Sequence, residues 1–288
     1  LVLFALFFRP VGFEYRSKVE DRRWRSTWDW GLFVGGAVPA LVFGVAFGNL
    51  LQGVPIHFDE FLRPYYTGSF GGLLNPFALL TGVVSLTMLV FHGAIYLQMR
   101  TEDDIQARSR LAATVFGLLF LAAFGLAGVW QAYGIEGFRI VTMPDPGSVM
   151  TPLDKTVEVA PGAWLTNYSR FPWMMAAPAV VFLGGVLAVL LSRANRPGLG
   201  FVCSGSALAG VILTAGFVMF PFIMPSSTHP NSSLTAFDAT SSHRTLMLMF
   251  GAVVIFLPIV LVYTSWVYSV LRGKSTEENI RSNTHSAY

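Results

Sequence analysis

Long apolar stretches alternate with short polar ones along almost the whole chain. Six of them, at about 28–53, 73–99, 107–134, 172–193, 199–224 and 244–271, are bounded by charged or turn-forming residues. Each supplies the ~20 apolar residues that a helix needs to cross a bilayer. An eight-residue apolar run, Leu1–Phe8, precedes them and stops at Arg9. At ~1.5 Å per residue it is too short to cross alone, and it lacks the basic start and small-residue cleavage site of a signal peptide. It predicts the second half of a membrane helix whose first half lies upstream. The predicted fold is therefore all-α: one integral membrane domain over residues 1–288, a polytopic transmembrane helical bundle of six full spans plus the second half of one truncated span.

Charge orients these spans. Of the 19 Lys and Arg residues, 14 fall on one side, in the blocks Arg9–Arg25, Arg100–Arg110, Arg193–Arg196 and Arg272–Arg281. The other side holds five, Arg63, Arg139, Lys155, Arg170 and Arg244. The positive-inside rule then places the 9–27 loop and the 272–288 tail in the cytoplasm. The loops near 54–72, 135–171 and 225–243 face the periplasm of a bacterial inner membrane. Trp28, Trp30, Trp130, Tyr133, Trp164 and Trp173 mark span ends, as interfacial anchors do.

Composition agrees with this reading. Of 288 residues 53% are apolar and 12% charged, about half the charge of a soluble domain. The formal net charge of +3 reports cytoplasmic loops, not a nucleic-acid partner. Cys203 is the one cysteine, so neither an intrachain disulfide nor a multi-cysteine metal site is available.

Ionisable residues inside a bilayer are costly and usually functional, yet the spans carry no Lys, Arg or Glu away from their ends. A secondary transporter or channel, the alternative function, would be expected to keep such a group near the midplane. His92 is the only histidine within a span; without a second one it cannot supply a bis-histidine haem, and it reads as a hydrogen-bonded packing residue. His57 with Asp59 and Glu60, and His229 with Asp238 and His243, lack recognised metal-ligand spacing.

The segment after the partial helix holds the candidate chemistry. It reads Arg9-Pro10-Val11-Gly12-Phe13-Glu14-Tyr15-Arg16-Ser17-Lys18. Glu14 and Lys18 stand in the favourable i,i+4 order. They are either an ordinary exposed pair beside snorkelling basic side chains, or a polar path by which a carboxylate and an ammonium pass protons in from the cytoplasm. Arg9, about two and a half turns deeper if the helix runs through Pro10, calls for a carboxylate, carbonyl or ligand oxygen as partner.

These residues, with GVAFGNLLQGVP (44–55), ILTAGFVMFPFIMPSST (212–228), SLTAFDATSS (233–242) and NTHSAY (283–288), resemble subunit II of the bacterial cytochrome bd quinol oxidase, its cyanide-insensitive branch included. The resemblance implies nine membrane helices, of which two and the front half of a third lie upstream of Leu1. It implies a haem-free subunit, with no cofactor in this chain, that stabilises a haem-bearing subunit I carrying haem b and haem d. A very small third subunit can attach, and some members hold a structural quinone in subunit II. Quinol and lipid are further partners. The implied enzyme oxidises quinol and reduces oxygen to water with cytoplasmic protons, making a proton-motive force without pumping. By the same resemblance Glu14, standing where the family has Asp, and Lys18 belong to the proton path at the subunit boundary, with Arg9 beside them.

Overall fold

The computed structural model describes residues 1–145, 150–270 and 273–274. The rest of the 272–288 tail, with its NTHSAY stretch, lies outside the described residues. Helix α1 (Val2–Tyr15) runs unbroken through Pro10, and six long helices follow. These are α2 (Arg22–Gln52), α3 (Pro76–Arg100), α4 (Asp103–Gly134), α6 (Ala176–Arg193, continuing a 3-10 turn from Pro172), α7 (Pro197–Met219) and α8 (His243–Val270). A one-turn helix, α5 (Thr166–Arg170), sits in the longest loop. All six long helices are apolar and long enough to cross a membrane.

Local signals set the helix ends. Asp21 caps α2, its carboxylate accepting the Arg23 amide at 2.9 Å. That starts the helix six residues before the apolar stretch does. Asn75 caps α3 through the Ala78 amide at 2.9 Å, and Pro76 supplies a first residue that needs no N–H partner. Helix α7 ends at Met219, earlier than the apolar run to residue 224. Pro221 has no amide to continue the ladder, and Phe222–Met224 instead forms strand β5 against β6 (Leu234–Thr235).

Helices α3, α4, α6 and α7 form a four-helix bundle around Phe91, Ile95, Phe120, Val181, Ala188 and Ala207, all buried. Near its basic end the buried Gln98 donates to the Ser192 carbonyl at 2.9 Å, and the Ser192 hydroxyl donates back to Gln98 Oε1 at 2.5 Å. Helix α2 packs on α3 so closely that a Cβ on Gly44 would lie 2.7 Å from Gly82 Cα. Small residues permit this approach, and close van der Waals contact is what holds helices together in lipid. Helix α1 packs on α2. Helix α8 buries none of its residues.

The three long loops fold into a cap at one end of the bundle. Three antiparallel hairpins build it: β1 (Ile56–Phe58) with β2 (Pro64–Tyr66), β3 (Glu136–Thr142) with β4 (Thr156–Pro161), and β5 with β6. The buried Trp164 packs against Phe138 and Phe222 and donates its indole N–H to the Leu51 carbonyl at 3.0 Å. The Val157 amide donates to Asn231 Oδ1 at 2.8 Å.

Candidate functional site

The α1–α2 corner is closed by contacts that cross from one helix to the other. The Arg16 guanidinium meets the Asp29 carboxylate at 2.5 Å. Trp24 donates its indole N–H to the Tyr15 carbonyl at 2.8 Å, and Tyr15 stacks on Trp28 with ring centroids 6.0 Å apart. These contacts set the direction in which the end of α1 points, and with it the two residues singled out by their spacing.

Glu14 Oε1 and Lys18 Nζ lie 2.9 Å apart, with 61% and 53% of their side chains exposed. Helix α1 stops at Tyr15, so the pair bridges from the last turn into the loop, and the Lys18 ammonium also sits 4.6 Å from the centre of the Tyr15 ring. The hydrogen bond from Lys18 holds the Glu14 carboxyl below the usual carboxylate range, and the same bond holds the Lys18 ammonium above its ordinary value. The pair is thus charged on both sides across neutral pH. In this arrangement it stores a proton on Lys18 Nζ and keeps one off Glu14. A proton can pass along it only when the two side chains part.

Arg9 is not part of this pair. Five residues separate it from Glu14, which turns it about 140° away around the helix and sets it ~7.5 Å along the axis. Its aliphatic stem lies across Gly35 of α2, where a Cβ would come 2.7 Å from Arg9 Cγ. The side chain is exposed, and the oxygen partner that its depth called for is not found among the described residues.

His92 stands in the bundle with Nδ1 2.8 Å from Ser204 Oγ, its ring stacked on Phe201 at 4.4 Å. With one ring nitrogen engaged and no second imidazole near it among the described residues, this surround does not fit a bis-histidine haem. His57 and His229, from separate loops, come together with ring centroids 4.9 Å apart, and His57 also stacks on Tyr65. No group of three or more His, Cys, Asp or Glu suited to a metal ion converges among the described residues.

Sequence reading missed the most buried ionic contact among the described residues. Lys155 Nζ lies 2.7 Å from Asp238 Oδ2, with 1% and 2% of the side chains exposed. The ammonium also donates to the Pro152 carbonyl at 2.7 Å, while Asp238 accepts from the Thr235 amide at 2.9 Å and the Thr235 hydroxyl at 2.8 Å. A Thr-x-x-Asp spacing inside SLTAFDATSS was the one available hint, since it matches a side chain that turns back on its own loop. Nothing local pointed from Asp238 to Lys155. Arg16 and Asp29, 13 residues apart, lay likewise beyond any helical spacing rule.

Comparison with known proteins matches residues 1–271 to the family described as cytochrome bd terminal oxidase subunit II. The chain is 52% identical over all 288 residues to cytochrome bd-I ubiquinol oxidase subunit 2 of Escherichia coli K12, covering 76% of that protein. It is 30% identical to cytochrome bd ubiquinol oxidase subunit 2 of Bacillus subtilis, with 95% of this chain and 71% of the relative covered. Its fold is similar to a chain in the structure of bd oxidase from Geobacillus thermodenitrificans, with a TM-score of 0.65 at 15% identity over 94% of this chain and 71% of that one.

Proposed function

The chain belongs to the family of cytochrome bd terminal oxidase subunit II, and on that premise we propose that its α1 end contributes to the path by which the enzyme draws protons from the cytoplasm. It is a multi-pass membrane subunit of a respiratory oxidoreductase, and membership in this family sets aside the transporter or channel alternative. We further propose that haem b and haem d reside in the partner, subunit I, and that this chain stabilises it. A very small third subunit, quinol and a structural quinone in this chain are part of the same proposal. The concentration of basic residues at the α1–α2, α3–α4 and α6–α7 turns supports a cytoplasmic placement of that end and of the C-terminus.

The observation that carries the proton reading is the Glu14–Lys18 contact of 2.9 Å at that end. Reduction of oxygen to water consumes protons, and a carboxylate that gives up its lysine can take one at an Oε and pass it inward. Charge neighbours from the partner are what would part the two side chains, because alone they hold each other charged. Arg9, deeper and unengaged among the described residues, is placed to hold an oxygen atom of that partner or of an ordered water chain.

The test substitutes Glu14→Gln and Lys18→Met separately in the assembled oxidase reconstituted in vesicles. Oxygen consumption at saturating quinol and proton uptake from the cytoplasmic side are then measured together. Each variant is expected to slow both by roughly 100-fold, the lower end of the scale on which a lost proton-transfer group acts. Wild-type rates in both variants would mean that the pair is an ordinary surface contact on a structural scaffold.

A further inference from the structure

Helix α2 is longer than a bilayer asks. Its 31 residues include 22–27, which the Asp21 cap adds ahead of the apolar stretch. A span needs ~20 residues, so these first turns do something other than cross the membrane. They carry Trp24 out to the end of α1, where its indole N–H reaches the Tyr15 carbonyl.

That carbonyl belongs to the last residue of α1 and has no partner in the helix ladder. It accepts the Lys18 amide at 3.2 Å and the Trp24 indole at 2.8 Å, which ties the turn between Glu14 and Lys18 to α2. Two more side chains of α2 grip the same turn. Trp28, one helical turn on from Trp24, stacks on the Tyr15 ring at 6.0 Å and meets Trp24 edge-on at 5.8 Å. Asp29 takes the Arg16 guanidinium through both oxygens, at 2.5 and 3.4 Å. Interfacial anchoring explains Trp30, which is exposed and touches Phe33 of its own helix. It does not explain an indole N–H bonded to a carbonyl of the neighbouring helix.

Spacing along α1 brings Glu14 to Lys18, but it does not aim them at anything. More than half of each side chain is exposed, so packing does not hold the pair in place and its backbone turn must. We propose that Trp24 and Asp29 are positioning residues for the Glu14–Lys18 pair, holding it as a unit where it meets the next proton carrier. This role rests on the proton reading of the pair. Proton transfer needs heavy atoms within about 2.6–3.2 Å, and a misplacement of about 1 Å can cost roughly 100-fold.

Trp24→Phe, which keeps a ring and loses the N–H, and Asp29→Asn are made singly and together in the assembled oxidase in vesicles, beside Glu14→Gln. The double variant should consume oxygen and take up protons roughly 100-fold more slowly, each single variant less so, with the KM for quinol unchanged. Hydrogen exchange at the amides of residues 16–18 should quicken in the same order. Asp29→Glu, which keeps the ion pair, should retain most of the rate that Asp29→Asn loses. Adding Glu14→Gln to the double variant should slow it no further, because both act through one pair. Asp29 is exposed, so Asp29→Asn carries the test if Trp24→Phe fails to assemble. Wild-type turnover in the Trp24 and Asp29 variants while Glu14→Gln is slow would overturn the positioning role and leave the proton reading standing. Wild-type turnover in Glu14→Gln would remove the proton reading and this role with it. Additive slowing, or a lost rate without quicker exchange at residues 16–18, would show that Trp24 and Asp29 act elsewhere and would overturn the role as well.

Discussion

Two ion pairs of nearly the same length sit at opposite ends of this molecule, and burial sets them apart. Lys155 and Asp238 meet at 2.7 Å with almost no exposure, whereas Glu14 and Lys18 meet at 2.9 Å with more than half of each side chain in the open. In the cap, each charge has given up water, and the surrounding Pro152 carbonyl and Thr235 amide and hydroxyl replace it. Such a pair is costly to form and more costly to halve. At the α1 end water competes with the partner, so the contact adds little to stability and its members are free to exchange. One end of the chain is built to stay put, and the other leaves its charges open to water.

The largest effect should come from halving the buried pair. Lys155→Met leaves Asp238 as an uncompensated charge and should lower the stability of the cap by about 3–5 kcal/mol, read as a fall in the thermal unfolding temperature of the assembled oxidase. Lys155→Met combined with Asp238→Leu should recover most of that loss, because two apolar side chains leave no charge stranded. If the double variant is as unstable as the single one, the pair matters for something other than its buried charge.

A smaller loss is expected from Asn231→Ala. It removes the acceptor of the Val157 amide that ties β4 to the neighbouring loop, and an unsatisfied buried amide costs about 1–3 kcal/mol. Amide exchange at Val157 should quicken in that variant while exchange within α3 and α4 stays the same.

The smallest effect belongs to the exposed pair. Glu14→Gln should move the unfolding temperature of the oxidase by no more than about 1 °C. Because the Glu14 carboxyl is lowered on folding, its contribution is present above the ordinary carboxylate value and lost as pH falls through the lowered one. Because Lys18 is raised, its contribution is present below the ordinary lysine value and lost as pH rises through the raised one. The difference between wild type and Glu14→Gln should therefore stay flat from about pH 5 to pH 9. A slope inside that window would show that the pair is more buried in the complex than in this subunit.

The bundle was largely legible because lipid makes one demand on every span, and apolar length answers it. Where hydropathy and backbone chemistry part, the expected edges moved. Helix α2 starts nearly two turns earlier, at the Asp21 cap, and α7 loses its last residues to a strand that is just as apolar as the helix before it. Of the site, Glu14 and Lys18 could be read because helical spacing brings them together without help from the rest of the fold. Lys155 and Asp238 could not, since their meeting depends on how two loops close over Trp164 and Asn231. His57 and His229 met for the same nonlocal reason.

Helix α8, which buries none of its 28 residues against the rest of the described chain, leads to a different kind of statement. Every other span is read by its neighbours, so a methyl group added at Gly44 or Gly82 is felt at once. Against the described residues α8 is held to nothing more than oiliness and length. Exchanges such as Val254→Leu or Ile259→Val should thus leave the packing of the described residues unchanged. Any that prove deleterious in a saturation library would trace, residue by residue, the outline of whatever lies against that helix in the working enzyme.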